Sequence, residues 1–155
     1  MPVVPAAELS SHVGEETGKS SWFTIDQDRI NTFAQATNDH QWIHVDVDAA
    51  ARGPFGATIA HGFLTQSLLS HLTVESTLLP DGAVMYINYG SDKVRFLSPV
   101  TVGSRIRSVS VLKGVREKSP GKLLITNTVT VEIEGEETPA LVADVLTLAI
   151  MGDSE

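Results

Sequence analysis

Two side chains of complementary chemistry stand five residues apart in the densest polar cluster of the chain, Thr37-Asn38-Asp39-His40-Gln41-Trp42-Ile43-His44. A carboxylate and an imidazole at hydrogen-bonding distance can share one water, one taking its proton while the other supplies a proton elsewhere. Imidazole titrates near neutrality and suits either role. Asp39 and His44 are therefore a candidate acid–base pair. Spacing alone leaves two plainer readings open: Asp39 as the cap of a turn, and His44 as a hydrogen-bonded core histidine. Metal binding is a third. Asp39, His40, His44 and His61 are ligand types for zinc or iron, but no His-x-x-x-His pair falls inside a predicted helix and no second carboxylate lies nearby. No metal is expected.

A second cluster, Ile59-Ala60-His61-Gly62-Phe63, stands where a loop enters a predicted helix. The first N–H groups of a helix have no internal partner and carry the positive end of the helix dipole. Glycine there lets a ligand approach the backbone closely. A carbonyl oxygen held at the Gly62 N–H would be polarised, and negative charge developing on it stabilised. The plain reading, ordinary helix-start chemistry, stays open on this pair of residues alone.

The elements that must position these clusters follow from the periodicity. Residues 1–19 are weakly patterned, with a short helix expected around Ala6 to His12 and a short strand over Ser20 to Ile25. Asp26 reads as an N-cap, and Ile30, Phe33, Ala34 and Thr37 follow on one helical face. Asn38, tolerant of the left-handed conformation, ends that helix. Residues 39–45 read as a structured loop, after which Asp46 caps a short helix reaching Arg52 and stopped by Gly53-Pro54. Phe63, Leu64, Leu68, Leu69 and Leu72 give a longer helix a wide apolar face, and Pro80-Asp81-Gly82 ends the region. Strands are expected over Val84–Phe96 (one strand or a pair), Arg105–Val115, Leu123–Ile133 and Leu141–Ile150. The third alternates cleanly, Leu123, Ile125, Asn127, Val129, Val131 and Ile133 against Thr126, Thr128, Thr130 and Glu132. The fourth is apolar on both faces except for Asp144 and Thr147, as a central strand would be. Helices first and long strands later imply an α+β domain in which an antiparallel sheet packs on the long helix. One helix cannot cover both faces of such a sheet, so a homo-oligomer is expected.

Composition narrows the function classes. The 155 residues suit one domain, taken as 1–155. A net charge of −8 makes nucleic acid or an anionic membrane a poor partner. Eight of the 11 Lys and Arg lie between Lys93 and Lys122, opposed there only by Glu117, which fits either a phosphorylated small ligand or solvated strand edges. No apolar run is long enough to cross a membrane and no basic-then-apolar start marks a secretory signal. Cysteine is absent, which removes disulfides and thiolate chemistry and fits the cytoplasm.

Taken in order, the clusters resemble a known family. Residues 33–49, from Phe33 through Asp39 and His44 to Ala49, resemble the hydratase-2 motif of the MaoC-like dehydratases: an aromatic, small residues, Gly-Asp-x-Asn-Pro, an aliphatic residue and His, then a small residue further on. Pro54-Phe55-Gly56 with Ile59-Ala60-His61-Gly62 resembles the family's next segment, and Arg95-Phe96-Leu97-Ser98-Pro99-Val100-Thr101-Val102-Gly103 its Arg-Phe-x-x-Pro-Val-x-x-Gly strand turn. The likeness covers roughly residues 20–150. Asn38 stands where Gly is usual, Gln41 where Asn is, and Trp42 where Pro is. These departures resemble the single-domain mycobacterial-type (R)-hydratases and the nodulation-protein-N-like branch.

The resemblance implies a single hot-dog fold, a long central helix wrapped by an antiparallel sheet, as a dimer with its site at the subunit interface. It implies (R)-specific, reversible hydration of trans-2-enoyl-CoA to (R)-3-hydroxyacyl-CoA. Coenzyme A would enter as part of the substrate, with no other cofactor. By position, Asp39 and His44 would be the catalytic pair, Gly62 the oxyanion-hole N–H and Gln41 a water-positioning side chain. His61, Phe63, Trp42, Lys93 and Arg95 would bind substrate or its CoA portion. Three rivals remain: a dehydratase acting on acyl carrier protein, a hot-dog thioesterase, and a non-catalytic acyl-CoA-binding subunit. The thioesterase reading is weakened because the long helix has no acid before Glu75.

Overall fold

The computed structural model describes residues 2–152; Met1 and residues 153–155 of the expected 1–155 domain lie outside them. In chain order the elements are β1 (Val3–Val4), a 3-10 turn (Leu9–His12), β2 (Glu16–Lys19), β3 (Phe23–Thr24), α1 (Gln27–Thr37), α2 (Trp42–Val45), α3 (Val47–Ala51), α4 (Gly62–Ser67), α5 (Leu69–Ser76), β4 (Leu79–Pro80), β5 (Ala83–Phe96), β6 (Arg105–Ser119), β7 (Lys122–Ile133) and β8 (Leu141–Met151). The sheet runs β2-β6-β7-β8-β5, with β3 also on β6, and every pairing in it is antiparallel. The α+β class read from the sequence is the observed one, and β8 is internal to the sheet, as its two-faced apolarity requires.

Alternation along the strands makes two different faces. Val129 and Val131 of β7, Leu141 and Ala143 of β8 and Ile106 of β6 pack with Leu64, Leu68, Leu69 and Leu72 of the helices. The opposite face carries charge: Arg107 pairs Glu132 at 2.7 Å, and Lys113 pairs Asp144 at 2.5 Å. Asp144 also accepts from Thr128 Oγ1, and the Lys113 bond is the main cause that holds its carboxyl below the usual carboxylate range. Asp144 is thus a satisfied charge in a central strand rather than a flaw in its pattern.

Local capping sets where the helices begin and end. The Asp26 carboxylate accepts the Arg29 N–H at 2.9 Å and starts α1. Asn38 ends it at φ 58°, in the left-handed region where Asn is the best tolerated non-glycine residue. Asp46 accepts the Ala49 N–H at 2.9 Å and starts α3.

Several expectations need correction. Residues 39–45 are not all loop: α2 fills Trp42–Val45, closed by an i→i−4 bond from Asp46 N to Trp42 O. Four residues are too few for a periodicity signal. The long helix is two segments, α4 and α5, that meet at Leu68. The weakly patterned start contributes β2 to the sheet edge and β1 as a parallel partner of β4. The strand expected over Ser20 to Ile25 contracts to Phe23–Thr24. The short helix expected around Ala6 to His12 is the 3-10 turn Leu9–His12.

Candidate functional site

Three loops and helix ends converge where α1 stops. Because Asn38 turns the chain sharply, Asp39 leaves the helix with its carboxylate half exposed and its carbonyl pointed back at α4. Asp39 Oδ1 accepts the Gln41 main-chain N–H at 3.4 Å. It is thus the Gln41 backbone that touches Asp39. α2 then carries His44 inward until it is 6% exposed.

His44 is fixed from two sides. Its Nδ1 lies 2.7 Å from the Ile59 carbonyl oxygen, and Ile59 N–H donates back to Ile43 O at 3.0 Å. Gln27 Nε2 donates to the His44 carbonyl at 2.8 Å, and its other amide atom accepts from the buried Thr58 hydroxyl. A carbonyl oxygen only accepts, so His44 Nδ1 carries the proton and Nε2 presents a lone pair. Burial is the main reason that the His44 pKa lies below the ordinary histidine value, against the Ile59 bond and the Asp39 charge, which raise it. His44 is therefore a neutral base near pH 7, with its accepting nitrogen already chosen.

His61 completes the cluster. Its ring stacks on that of His44 at 3.7 Å between centroids and 22° between planes. Ligand-type atoms of Asp39, His44 and His61 lie within 4.8 Å of one another. By residue type these are the groups that could hold a metal. The stacking works against it, because a cation in the plane of one ring would stand well out of the plane of the other, away from that ring's lone pair. His40, the fourth residue weighed for metal, is exposed and outside this cluster.

A cavity of about 280 Å³ opens beside the cluster, lined by His44, Ile59, Ala60, Gly62, Thr65 and Phe96 among others. The Gly62 N–H, first of α4, has no intrahelical acceptor. The Phe96 ring closes on this glycine so tightly that a Cβ there would meet it at 3.1 Å. A second cavity, about 470 Å³, lies between the helices and the inner side of β5, lined by Phe63, Gln66, Ser70, Asn88 and Thr147 among others. The arrangement offers one proton-accepting imidazole, one carboxylate and one amide donor without an intrahelical acceptor beside a cavity of about 280 Å³.

The structure brings together Asp39, His44, His61 and Gly62. Trp42 lies near, its ring against Gly53 and 45% exposed. Phe63 is exposed at the start of α4, edge-on to Phe96. His61 is 3% exposed and packs on His44 instead of standing in the open with Phe63. Lys93 and Arg95 are not brought to the site. Lys93 sits at a β5 irregularity with φ 53°, its ammonium 3.9 Å from Asp144 on the face away from the helices. Arg95 Nη1 donates to the Val94 carbonyl at 2.7 Å. Sequence reasoning missed Ile59, Gln27 and Phe96. Ile59 acts through its main chain, which no side-chain pattern marks, and Gln27 reads as an ordinary first-turn residue of α1. Phe96 was visible in the strand-turn segment but not as a neighbour of Gly62.

Comparison with known proteins gives the family. Residues 8–134 match the family described as MaoC like domain. The 3-hydroxyacyl-thioester dehydratase Z of Mycobacterium tuberculosis is 51% identical over 138 residues, which cover 89% of this chain and 91% of the relative. Nodulation protein N of Rhizobium meliloti is 49% identical over 150 residues, covering 96% of this chain and 93% of the relative. A solved MaoC-like dehydratase from Rhodospirillum rubrum shares the fold with a TM-score of 0.75 at 19% identity, covering 97% of this chain and 99% of that one. The matched span and the close relatives together show that the chain belongs to the MaoC-like dehydratase family.

Proposed function

We propose that the protein hydrates trans-2-enoyl thioesters reversibly, with coenzyme A as the carrier and the (R)-3-hydroxyacyl thioester as product. The observation that carries this reading is the His44–Ile59 contact, which leaves a neutral imidazole nitrogen lone pair beside the Asp39 carboxylate. The thioester carbonyl accepts from the Gly62 N–H, and electron density moves from C3 toward that oxygen. A water held by Asp39 and His44 attacks C3. As the C3–O bond forms, one water O–H bond breaks and its proton passes to His44 Nε2. The π electron pair of C2=C3 moves toward C2 and the carbonyl, giving an enolate. His44 then returns the proton to C2, so H and OH add to the same face. Atoms balance with water as the sole co-reactant, and coenzyme A enters only as part of the substrate.

The protein works as a homodimer. Support comes from β5, the outer strand of the sheet, where Val84, Met85, Tyr86, Ile87 and Tyr89 are all exposed. An apolar edge strand of this length is ordinarily covered. No helix among the described residues is long and apolar enough to cross a membrane.

Glu75, the acid a thioesterase reading would need, accepts the Ser21 N–H at 2.5 Å near the far end of α5. That engagement favours hydration over hydrolysis. The test follows crotonyl-CoA by loss of enoyl absorbance beside thiol release, with the same acyl group on acyl carrier protein in parallel. Absorbance loss on the CoA ester without thiol release is expected. Thiol release would make the protein a thioesterase, and turnover confined to the carrier-bound substrate would change the carrier.

A further inference from the structure

Beyond the dyad, we propose that His61 is a positioning residue that locks Asp39 and His44 into one unit; this rests on the hydratase reading above. His61 precedes α4 and makes no cap bond to it, so its side chain does not serve the helix. Instead Nε2 lies 3.0 Å from the Asp39 carbonyl oxygen and 4.0 Å from Asp39 Oδ2. One face of the ring lies on His44, and Phe33 of α1 packs against it at 5.0 Å. Thus one buried side chain touches both members of the pair and the helix that delivers the first of them.

The protonation state follows from the contacts. The Asp39 carbonyl only accepts, so Nε2 carries a proton. Among the described residues Nδ1 is buried without a partner. A cationic ring would bury an unpaired N–H and an added charge against His44, whereas the neutral tautomer leaves only an unpaired acceptor. His61 is therefore neutral, Nε2–H. Its ring face then meets His44 as the imidazolium forms, and a π face stabilises a cation. The titratable groups facing His44 are Asp39 and His61; its Nδ1 side is filled by the Ile59 carbonyl. A neutral His61 also keeps a second positive charge out of the cluster at the moment His44 takes its proton.

Two variants separate the two contacts. His61→Phe keeps a flat ring on His44 and removes the Nε2–H. His61→Gln keeps an amide donor for the Asp39 carbonyl and removes the ring. For crotonyl-CoA hydration, each is expected to lose on the order of 10–100-fold in kcat with KM within about two-fold, the signature of misplacement rather than lost binding. The acid limb of kcat/KM is expected to move in His61→Gln, where water replaces the ring, and to stay in His61→Phe. Ring 15N shifts of the wild-type protein give a readout independent of turnover, and the neutral Nε2–H tautomer of His61 at pH 7 is expected. A protonated Nδ1 on His61, or wild-type kcat in both folded variants, would overturn the proposal. If the wild type does not hydrate enoyl-CoA, the hydratase reading falls by itself. The His61 tautomer and the NMR titration of His44 in His61→Gln still decide the positioning role.

Discussion

His44 Nδ1 and the Ile59 carbonyl oxygen lie 2.7 Å apart, and that contact decides which imidazole nitrogen is free to act. Burial holds the His44 pKa below the ordinary histidine value. Because hydration needs the neutral ring, kcat/KM should be flat from pH 7 upward and decline only as pH falls through the lowered pKa. Stability follows the same sign. The unfolded chain takes up the proton first, so the contribution is fully present above the ordinary histidine pKa and is lost as pH falls toward the folded value. His44→Gln should abolish this part of the acid sensitivity in pH-dependent denaturation. An acid limb in kcat/KM above the ordinary histidine value would contradict the lowering of the His44 pKa by burial.

Asn38 sits at φ 58°, immediately before Asp39. Asn38→Ala should cost about 1 kcal/mol, since a Cβ without a compensating local hydrogen bond is strained in this region. Asn38→Gly should be neutral within about 0.5 kcal/mol, as glycine enters the region freely. Urea denaturation gives both values. Equal stability of the two variants would remove the backbone argument for Asn at this position.

How much of this was legible in the sequence depended on the length of the signal. β7 could be read residue by residue because from Ile125 to Ile133 buried and partly buried positions alternate, Leu124 alone adding an apolar buried residue on the outward side. Asp26, Asn38 and Asp46 were legible because their side chains have one local task each. α2 was not, being only four residues long. Asp39 and His44 could be singled out as a candidate pair from their residue types and from the family resemblance, but the geometry of His44 depends on Ile59, 15 residues further on and acting through a carbonyl. Lys93 shows where charge clustering is silent about placement. Clustered positive charge suggested a phosphate contact, and in the structure this side chain stands at a strand irregularity with its ammonium 3.9 Å from Asp144.

The exposed edge of β5 makes a prediction about assembly. Wild-type protein should sediment as a dimer at micromolar concentration. Val84→Lys with Ile87→Lys should shift it toward monomer, because charge on an edge strand opposes pairing. If the site is completed at the interface, activity should fall together with the dimer fraction. A wild-type protein that is monomeric and fully active would contradict the homodimer.

The central claim is that Asp39 and His44 add water to one face of an enoyl thioester. Its most direct test is crotonyl-CoA hydration by the wild type, Asp39→Asn and His44→Gln, with chiral analysis of the 3-hydroxybutyryl-CoA formed. The account predicts the (R) product from the wild type and a loss on the order of 10²–10⁴-fold or more in each folded variant. An (S) product, or near-wild-type turnover in either variant, would contradict it.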